Sequence, residues 1–240
     1  ITDVFGNMFE DKRPLLPSKY RIAIYKGFSL WYYWFTLALV IVQMVVFIAT
    51  PEIPSTLWAV DTYKYQLWRL ITYAFLHGSI AHLISNISMT LVLAPTLEAI
   101  HGNVSVASIW FAGVIVGALF HINEYHHVAV IGSSAGVYAL LCARIIDILF
   151  NLNDMAVWQL RLLTVLCLGL PGLVDWVTSD QYTSTSHSAH IGGAIGGIFL
   201  SSITLTNITP TTTESYLRWG LGTISGFTVL LMCLWVFFFA

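Results

Sequence analysis

Long stretches without Lys, Arg, Asp or Glu dominate the pattern of this chain. A helix needs about 20 mostly apolar residues to cross the hydrocarbon of a bilayer. Six clear stretches of this length occur. A seventh and weaker stretch, 155–174, contains Arg161 and Pro171, which membrane helices tolerate when neighbouring helices satisfy the backbone. The pattern therefore predicts seven transmembrane helices, the weak one being fifth. The six clear stretches are 27–51, 70–97, 99–123, 125–143, 181–213 and 219–240.

Composition supports an all-α, polytopic membrane bundle. Hydrophobic residues make up 57% of the 240 residues and charged residues 9%, whereas about 25% are charged in a soluble domain. Mean hydropathy is +0.78, so the lipid bilayer is the expected environment. The net charge is −2 and the basic residues are scattered, which excludes a nucleic-acid partner. The three cysteines lie in apolar stretches and suggest no disulfide framework.

Three regions follow from this pattern. Residues 1–27 form a cytosolic or interfacial segment, residues 28–207 a core of six transmembrane helices, and residues 208–240 a linker with the seventh helix. The chain begins at Ile1 rather than at methionine, which suggests an excised or processed core.

The distribution of basic residues predicts the orientation. Lys and Arg favour cytoplasmic loops. With a cytoplasmic N-terminus, only Lys64 and Arg69 lie outside. The second, fourth and sixth helices then all run inward, so their first turns share one depth near the outer face. The eight basic residues that lie inside are Lys12, Arg13, Lys19, Arg21, Lys26, Arg144, Arg161 and Arg218.

Polar clusters occur toward the beginnings of those three helices. They are HGSIAHLISN at 77–86, GSSAGVYAL at 132–140 and HSAHIGGAIGG at 187–197. A polar group inside hydrocarbon is costly and therefore suggests function. Because the three clusters share a depth, we expect a hydroxyl, an imidazole and an amide to meet in one pocket.

Ser134 and His190 are the candidate catalytic pair. Serine becomes a useful nucleophile when a neighbouring base takes its proton, and histidine is the usual base. Gly132 precedes Ser134 at a loop-to-helix turn, where backbone N–H groups can stabilise an oxyanion. No Asp or Glu lies in the sixth helix, so a dyad rather than a triad is expected.

Further side chains can support this pair. His82 and Asn86 are four residues apart on one helical face and can donate to the oxyanion. Tyr138 lies one turn beyond Ser134, where its ring can pack against the imidazole. The spacing of Gly193 and Gly197 lets another membrane helix approach closely. Ala135 and Ala139 on the fourth helix are small enough to be the partners.

The HINEYHH stretch at 121–127 is the candidate for a metal site. Its imidazoles and Glu124 are plausible zinc ligands, but the spacing lacks a helical H-E-x-x-H. We therefore expect no metal and no other cofactor, with these loop histidines solvated. His187 precedes the sixth helix proper and is expected to face solvent. Trp68 and Arg69 suit an interfacial anchor, with the Arg side chain snorkelling.

Taken in order along the chain, these motifs resemble the rhomboid family of intramembrane serine proteases over residues 29–205. The resemblance implies Ser134 as nucleophile and His190 as general base. It also implies an oxyanion hole formed by His82, Asn86 and the Ser134 backbone N–H, and a structural carboxylate at Glu98. The motifs are Trp68–Arg69 in the first loop, H-x-x-x-x-H-x-x-x-N at 77–86, G-x-S-x at 132–135 and A-H-x-x-G-x-x-x-G at 189–197.

Two departures from the family pattern are alanine at position 135 and an additional glycine at position 192. The seventh helix resembles the six-plus-one layout of animal secretase-type rhomboids. That layout implies the secretory pathway or the plasma membrane. The resemblance also implies single-span membrane proteins as substrates, which enter past the fifth helix and the loop around 175–185.

Two rival functions share parts of this pattern. One is an inactive rhomboid-like protein that binds membrane clients for quality control, and the other is a channel or transporter. A channel would carry polar residues across the whole bilayer, whereas here they cluster near one face.

Overall fold

The computed structural model describes residues 33–152, 158–178, 186–205 and 211–238, and this part of the chain is all-helical. Its eight α-helices confirm the predicted fold class. The segment predicted for 1–27 lies outside the described residues. The helices are α1 Trp34–Ala49, α2 Arg69–Thr72, α3 Ile80–His101, α4 Asn103–Glu124, α5 Ser134–Phe150, α6 Trp158–Thr178, α7 His187–Thr204 and α8 Thr212–Phe238.

Helix length separates the long helices into two groups. Helices α3, α4, α6 and α8 are long and apolar enough to cross a membrane, which makes the protein an integral, multi-pass one. Helices α1, α5 and α7 have 16, 17 and 18 residues, so they span about 24–27 Å at 1.5 Å per residue. The hydrocarbon is about 30 Å thick. A helix this short that reaches one face of the hydrocarbon ends before the other face.

Three of the helices begin later than the apolar pattern predicted. The second, fourth and sixth stretches start at 70, 125 and 181, but α3, α5 and α7 start at 80, 134 and 187. The segments before α3 and α5 are apolar because they are buried in the protein, as Tyr73, Leu76 and Val130 are. The absence of charge therefore marks burial there rather than a helix in lipid.

Helices α4, α5 and α7 form a tightly packed centre. A Cβ added to Gly193 or Gly197 of α7 would meet the backbone of Ala135 or Ala139 of α5. A Cβ added to Gly113 of α4 would overlap the Ala139 methyl. The predicted close approach is thus found, and it places the first turns of α5 and α7 side by side.

Helix α1 is fastened to the C-terminal end of α3. The Glu98 carboxylate accepts hydrogen bonds from the Thr36 N–H at 3.1 Å and from the Thr36 hydroxyl at 2.8 Å. The Thr36 N–H lies in the first turn of α1, where backbone donors have no partner within the helix. Glu98 thus caps α1 with a negative charge, which the helix dipole also favours.

Helices α6 and α8 lie at the edge of the bundle. Val165 is the one buried residue among the described side chains of α6, and α6 packs mainly against α5. Helix α8 packs against α7. Arg218 of α8 donates to the carbonyl groups of Ser202 and Leu205 at the end of α7. Of the two edge helices, α6 is therefore the less firmly held.

Candidate active site

The side chains of Ser134 and His190 meet at the beginnings of α5 and α7. Ser134 is the first residue of α5, and His190 lies in the first turn of α7. The Ser134 Oγ lies 2.9 Å from the His190 Nε2. This is within the range for a nucleophile and its base. The proposed roles of the two residues stay predictions.

Tyr138 lies against the His190 ring, as its position one turn beyond Ser134 suggested. The ring centroids are 4.3 Å apart and the planes are inclined by 16°. This stacking limits rotation of the imidazole. Helix α6 supports the arrangement from the other side, since a Cβ added to Gly172 would overlap the Tyr138 hydroxyl.

No carboxylate within the described residues makes a hydrogen bond to the His190 ring. His187 contacts both the His190 ring and the carboxylate of Asp175. The His187 Nε2 lies 3.9 Å from the Asp175 Oδ2 of α6, and the His187 ring contacts the His190 ring edge-on at 6.3 Å. The geometry is that of a serine–histidine pair, with the His187–Asp175 contact beside it.

His187 does not face solvent as the sequence suggested. Its side chain is only 16% exposed, because it belongs to the first turn of α7 and Asp175 covers it. His187 and His190 are three residues apart and so lie on the same side of the helix. The expectation of a solvent-facing side chain was wrong because His187 is the first residue of α7 and does not belong to the loop before it.

The turn before Ser134 requires glycine at position 132. Gly132 has a φ of 113°, which side chains rarely allow. A Cβ there would also lie 2.6 Å from the His82 ring. The Gly132 N–H donates to the Tyr73 carbonyl at 3.0 Å. The turn is thereby fixed against the segment that precedes α3.

His82 approaches this turn from the first turn of α3, and Asn86 lies one helical turn further along the same helix. The Ser79 hydroxyl caps α3 by accepting from the His82 N–H at 3.2 Å. Asn86 is 5% exposed, and its Nδ2 has no hydrogen-bond partner among the residues that the structure describes. A buried donor without a partner costs about 1–3 kcal/mol. An oxyanion that formed beside it would supply the missing acceptor.

Trp68 and Arg69 make their described contacts with the first loop rather than with the dyad. Arg69 is 5% exposed and donates to the carbonyl groups of Ser55 and Trp58. It does not snorkel to an interface, because the loop folds over it and uses its donors. Trp68 is exposed, as an interfacial anchor would be. This pair holds the loop that precedes α2.

The histidines of the 121–127 stretch lie in two different environments. His121 is buried, contrary to the solvated state expected from the sequence. Its Nδ1 lies 2.7 Å from the Ser186 hydroxyl and its Nε2 lies 2.9 Å from the Val128 carbonyl. Ser186 in turn caps α7 by accepting from the Ala189 N–H. His121 thus secures the start of the helix that carries His190.

His126 and His127, in the loop before α5, lie beside Asp61, in the loop before α2. Their Nδ1 atoms are 3.5 and 3.6 Å from the Asp61 carboxylate. Burial alone would raise the pKa of Asp61, but hydrogen bonds from the His127 and Thr62 N–H groups outweigh it and lower the pKa below 3.8. No group of three or more His, Cys, Asp and Glu side chains that could hold a metal occurs in the described ranges.

Gln43 and Ser133 received no role from the sequence. Both are buried, and the Ser133 hydroxyl donates to the Gln43 Oε1 at 3.4 Å. Gln43 was visible as a polar residue within the first apolar stretch, where polarity is costly. Its position in the chain gave no sign of its distance from the other polar clusters.

Fold and site together define a multi-pass helical membrane protein with a serine–histidine pair at the beginnings of two short helices. Comparison with known families gives the same class, since the Rhomboid domain model matches residues 64–207. The chain belongs to the rhomboid family.

Similar proteins include one that is named inactive. Rhomboid-related protein 1 of Caenorhabditis elegans is 30% identical over 159 residues, covering 64% of this chain and 44% of its own length. Rhomboid-related protein 3 of Homo sapiens is 32% identical over 164 residues, covering 64% and 40%. Inactive rhomboid-related protein 2 of C. elegans is 27% identical over 173 residues, covering 68% and 48%. The chain spans less than half the length of these curated relatives.

Proposed function

We propose that the protein is an intramembrane serine endopeptidase that cleaves single-span membrane proteins within or near their transmembrane segments. The observation that carries this proposal is the 2.9 Å approach of the Ser134 Oγ to the His190 Nε2. An inactive member of this family has no need of a serine hydroxyl in contact with an imidazole. It has equally little need of backbone N–H groups at the same turn. Membership of the family supports the same reaction.

The chemistry follows from the positions of these groups. The Ser134 Oγ attacks the carbonyl carbon of an unwound substrate segment while its proton passes to the His190 Nε2. The resulting oxyanion accepts hydrogen bonds from the Ser134 N–H and from the His82 and Asn86 side chains. His190 then gives its proton to the departing amine, which leaves an acyl-enzyme on Ser134. Water, activated by His190, hydrolyses the ester.

The proposed orientation has the N-terminus in the cytoplasm and the dyad near the outer or luminal face. The excess of basic residues on the other side supports it. The membrane is that of the secretory pathway or the cell surface. Both statements rest on sequence features, and tags at the two ends of the chain, probed by protease in sealed vesicles, test the orientation.

Substrate entry is proposed to occur beside α6. This helix buries little of its described surface and contacts the dyad region through Gly172 and Asp175. A helix held by few contacts can move aside at little cost. The substrate helix then reaches Ser134 from the lipid.

Conversion of a single-span reporter in liposomes tests the function. We expect the wild-type protein to cleave it and Ser134→Ala and His190→Ala to leave it intact. Ser225→Ala on α8 and His126→Ala in the outer loop are matched controls that keep activity. An intact reporter with folded wild-type protein favours the alternative, an inactive rhomboid-like protein that binds membrane clients, as the relative named inactive suggests.

A further inference from the structure

A second set of polar side chains lies behind the nucleophile turn. Gln43 of α1, Ser133 before α5 and His77 before α3 are 1%, 0% and 4% exposed. Each comes from a different segment, and none takes part in the proposed reaction. Burying polar groups this deeply in a membrane protein costs free energy, so their presence suggests a function.

The Ser133 hydroxyl joins the other two side chains. Its Oγ donates to the Gln43 Oε1 at 3.4 Å and lies 3.4 Å from the His77 Nε2. A single hydroxyl between an amide and an imidazole couples the tautomer of the ring to the amide, because the hydroxyl has one proton to donate. Both distances are long for hydrogen bonds, but the burial of all three groups leaves these contacts without competition from bulk solvent.

The His77 ring connects these buried side chains with the proposed oxyanion hole. It packs edge-on against the His82 ring, with centroids 5.1 Å apart. The His82 ring in turn lies where a side chain at Gly132 would be. These contacts thus reach the nucleophile turn at two points. Ser133 directly precedes Ser134, and the His82 ring lies against Gly132.

We propose that Gln43 is a positioning residue, which through Ser133 and His77 holds both the nucleophile turn and the His82 ring in place for catalysis. We call Gln43, Ser133, His77 and His82 the Gln43 network. The inference deepens the proposed function and rests on it for its effect on rate. Gln43 does not touch the substrate, so its effect is on the rate of the chemical step rather than on substrate binding.

Kinetics of reporter cleavage provide the first test. Gln43→Leu and Ser133→Ala each lower kcat roughly ten- to hundredfold, the scale expected when catalytic groups are slightly misplaced, while KM stays unchanged. The double variant loses no more than the worse single variant, because both changes break the same chain. Losses that multiply, or a rise in KM alone, overturn the proposal.

Thr36→Val is the matched control. Thr36 is also buried on α1, at 1% exposure, and lies seven residues before Gln43, but its hydrogen bonds go to Glu98 at the C-terminal end of α3. This variant loses thermal stability and keeps the kcat of its folded fraction. An equal fall of kcat in Thr36→Val and Gln43→Leu shows a purely structural effect and overturns the proposal.

A spectroscopic measurement separates this inference from the proposed function. The imidazole ¹⁵N shifts of His77, assigned with His77→Gln in the full chain, change in Gln43→Leu and Ser133→Ala and stay as in the wild type in Thr36→Val. Unchanged His77 shifts in Gln43→Leu overturn the network even in an active enzyme. A wild-type protein that cleaves nothing defeats the proposed function, while these shifts still decide whether the network exists.

Discussion

At the scale of single residues, Gly132 is under two constraints that other glycines in the described ranges do not combine. Its φ is 113°, and the His82 ring occupies the space of a side chain. Gly102 has a φ of 84°, but no atom lies within 4 Å of the position that a Cβ would take there. The two positions therefore separate backbone strain from crowding at the site.

We expect Gly132→Ala to lose both stability and activity. Backbone strain costs about 1–3 kcal/mol at either glycine, so Gly132→Ala and Gly102→Ala both lower the melting temperature. Only Gly132→Ala displaces His82 and lowers kcat for the reporter. Equal activity of the two folded variants would show that His82 has no part in the reaction.

The sequence was most informative at this scale. Ser134, His190 and Tyr138 were identified because polar residues stand out within apolar stretches, and because their helical spacing predicts which side chains share a face. Gln43 and His121 were missed or misjudged for a different reason. Their partners, Ser133 and Ser186, lie 90 and 65 positions away in the chain, and periodicity within one helix carries no information about such contacts.

At the scale of elements, the contact between α5 and α6 depends on a glycine. The Gly172 Cα lies so close to the Tyr138 hydroxyl that no further carbon atom fits between them. Tyr138 in turn stacks on His190. Movement of α6 is thereby linked to the orientation of the proposed base.

Gly172→Ala is expected to lower kcat because the new methyl group pushes the Tyr138 ring off His190. Tyr138→Phe removes the atom that the methyl meets first, so the combined variant recovers part of the loss. Gly169→Ala, one turn earlier on α6, meets only a Leu141 methyl at 3.2 Å and serves as the control. The rates of Gly172→Ala, Tyr138→Phe, the combined variant and Gly169→Ala are compared with that of the wild type on the same reporter. The absence of recovery in the combined variant contradicts this explanation.

The proposed entry path makes a second prediction at this scale. A reversible disulfide that ties α6 to α3 in a background without Cys142, Cys167 and Cys233 should block cleavage of a membrane reporter. Reduction should restore cleavage, because α6 is then free to move aside. Cleavage that is the same before and after reduction would place substrate entry elsewhere.

At the scale of the whole molecule, Glu98 joins the first helix to the rest of the bundle. The carboxylate is 2% exposed and holds two donors of Thr36. Hydrogen bonds to charged groups contribute about 1.5–3 kcal/mol. These contacts support the structural role that the family resemblance implies for Glu98.

We expect Glu98→Ala to lower the free energy of unfolding by about 2–3 kcal/mol, with little change in the kcat of the folded protein. Glu98→Gln keeps an acceptor oxygen and should lose less. Thermal unfolding in detergent measures both. A variant that keeps its melting temperature but loses kcat would assign Glu98 to the reaction instead.

The all-helical class followed from the sequence because hydrocarbon requires long apolar helices. The boundaries did not, since the segments around Tyr73 and Val130 are apolar for a different reason, namely burial within the protein. The packing of α4, α5 and α7 was partly visible in the glycine spacing. The edge position of α6 was indicated by its weak hydrophobic signal.

The central claim, that Ser134 is a nucleophile activated by His190, is tested most directly with a fluorophosphonate probe. Mass spectrometry of the labelled protein should find the phosphonate on Ser134, with labelling lost in Ser134→Ala and strongly reduced in His190→Ala. Folded wild-type protein that stays unlabelled, or a label on another serine, would contradict the account.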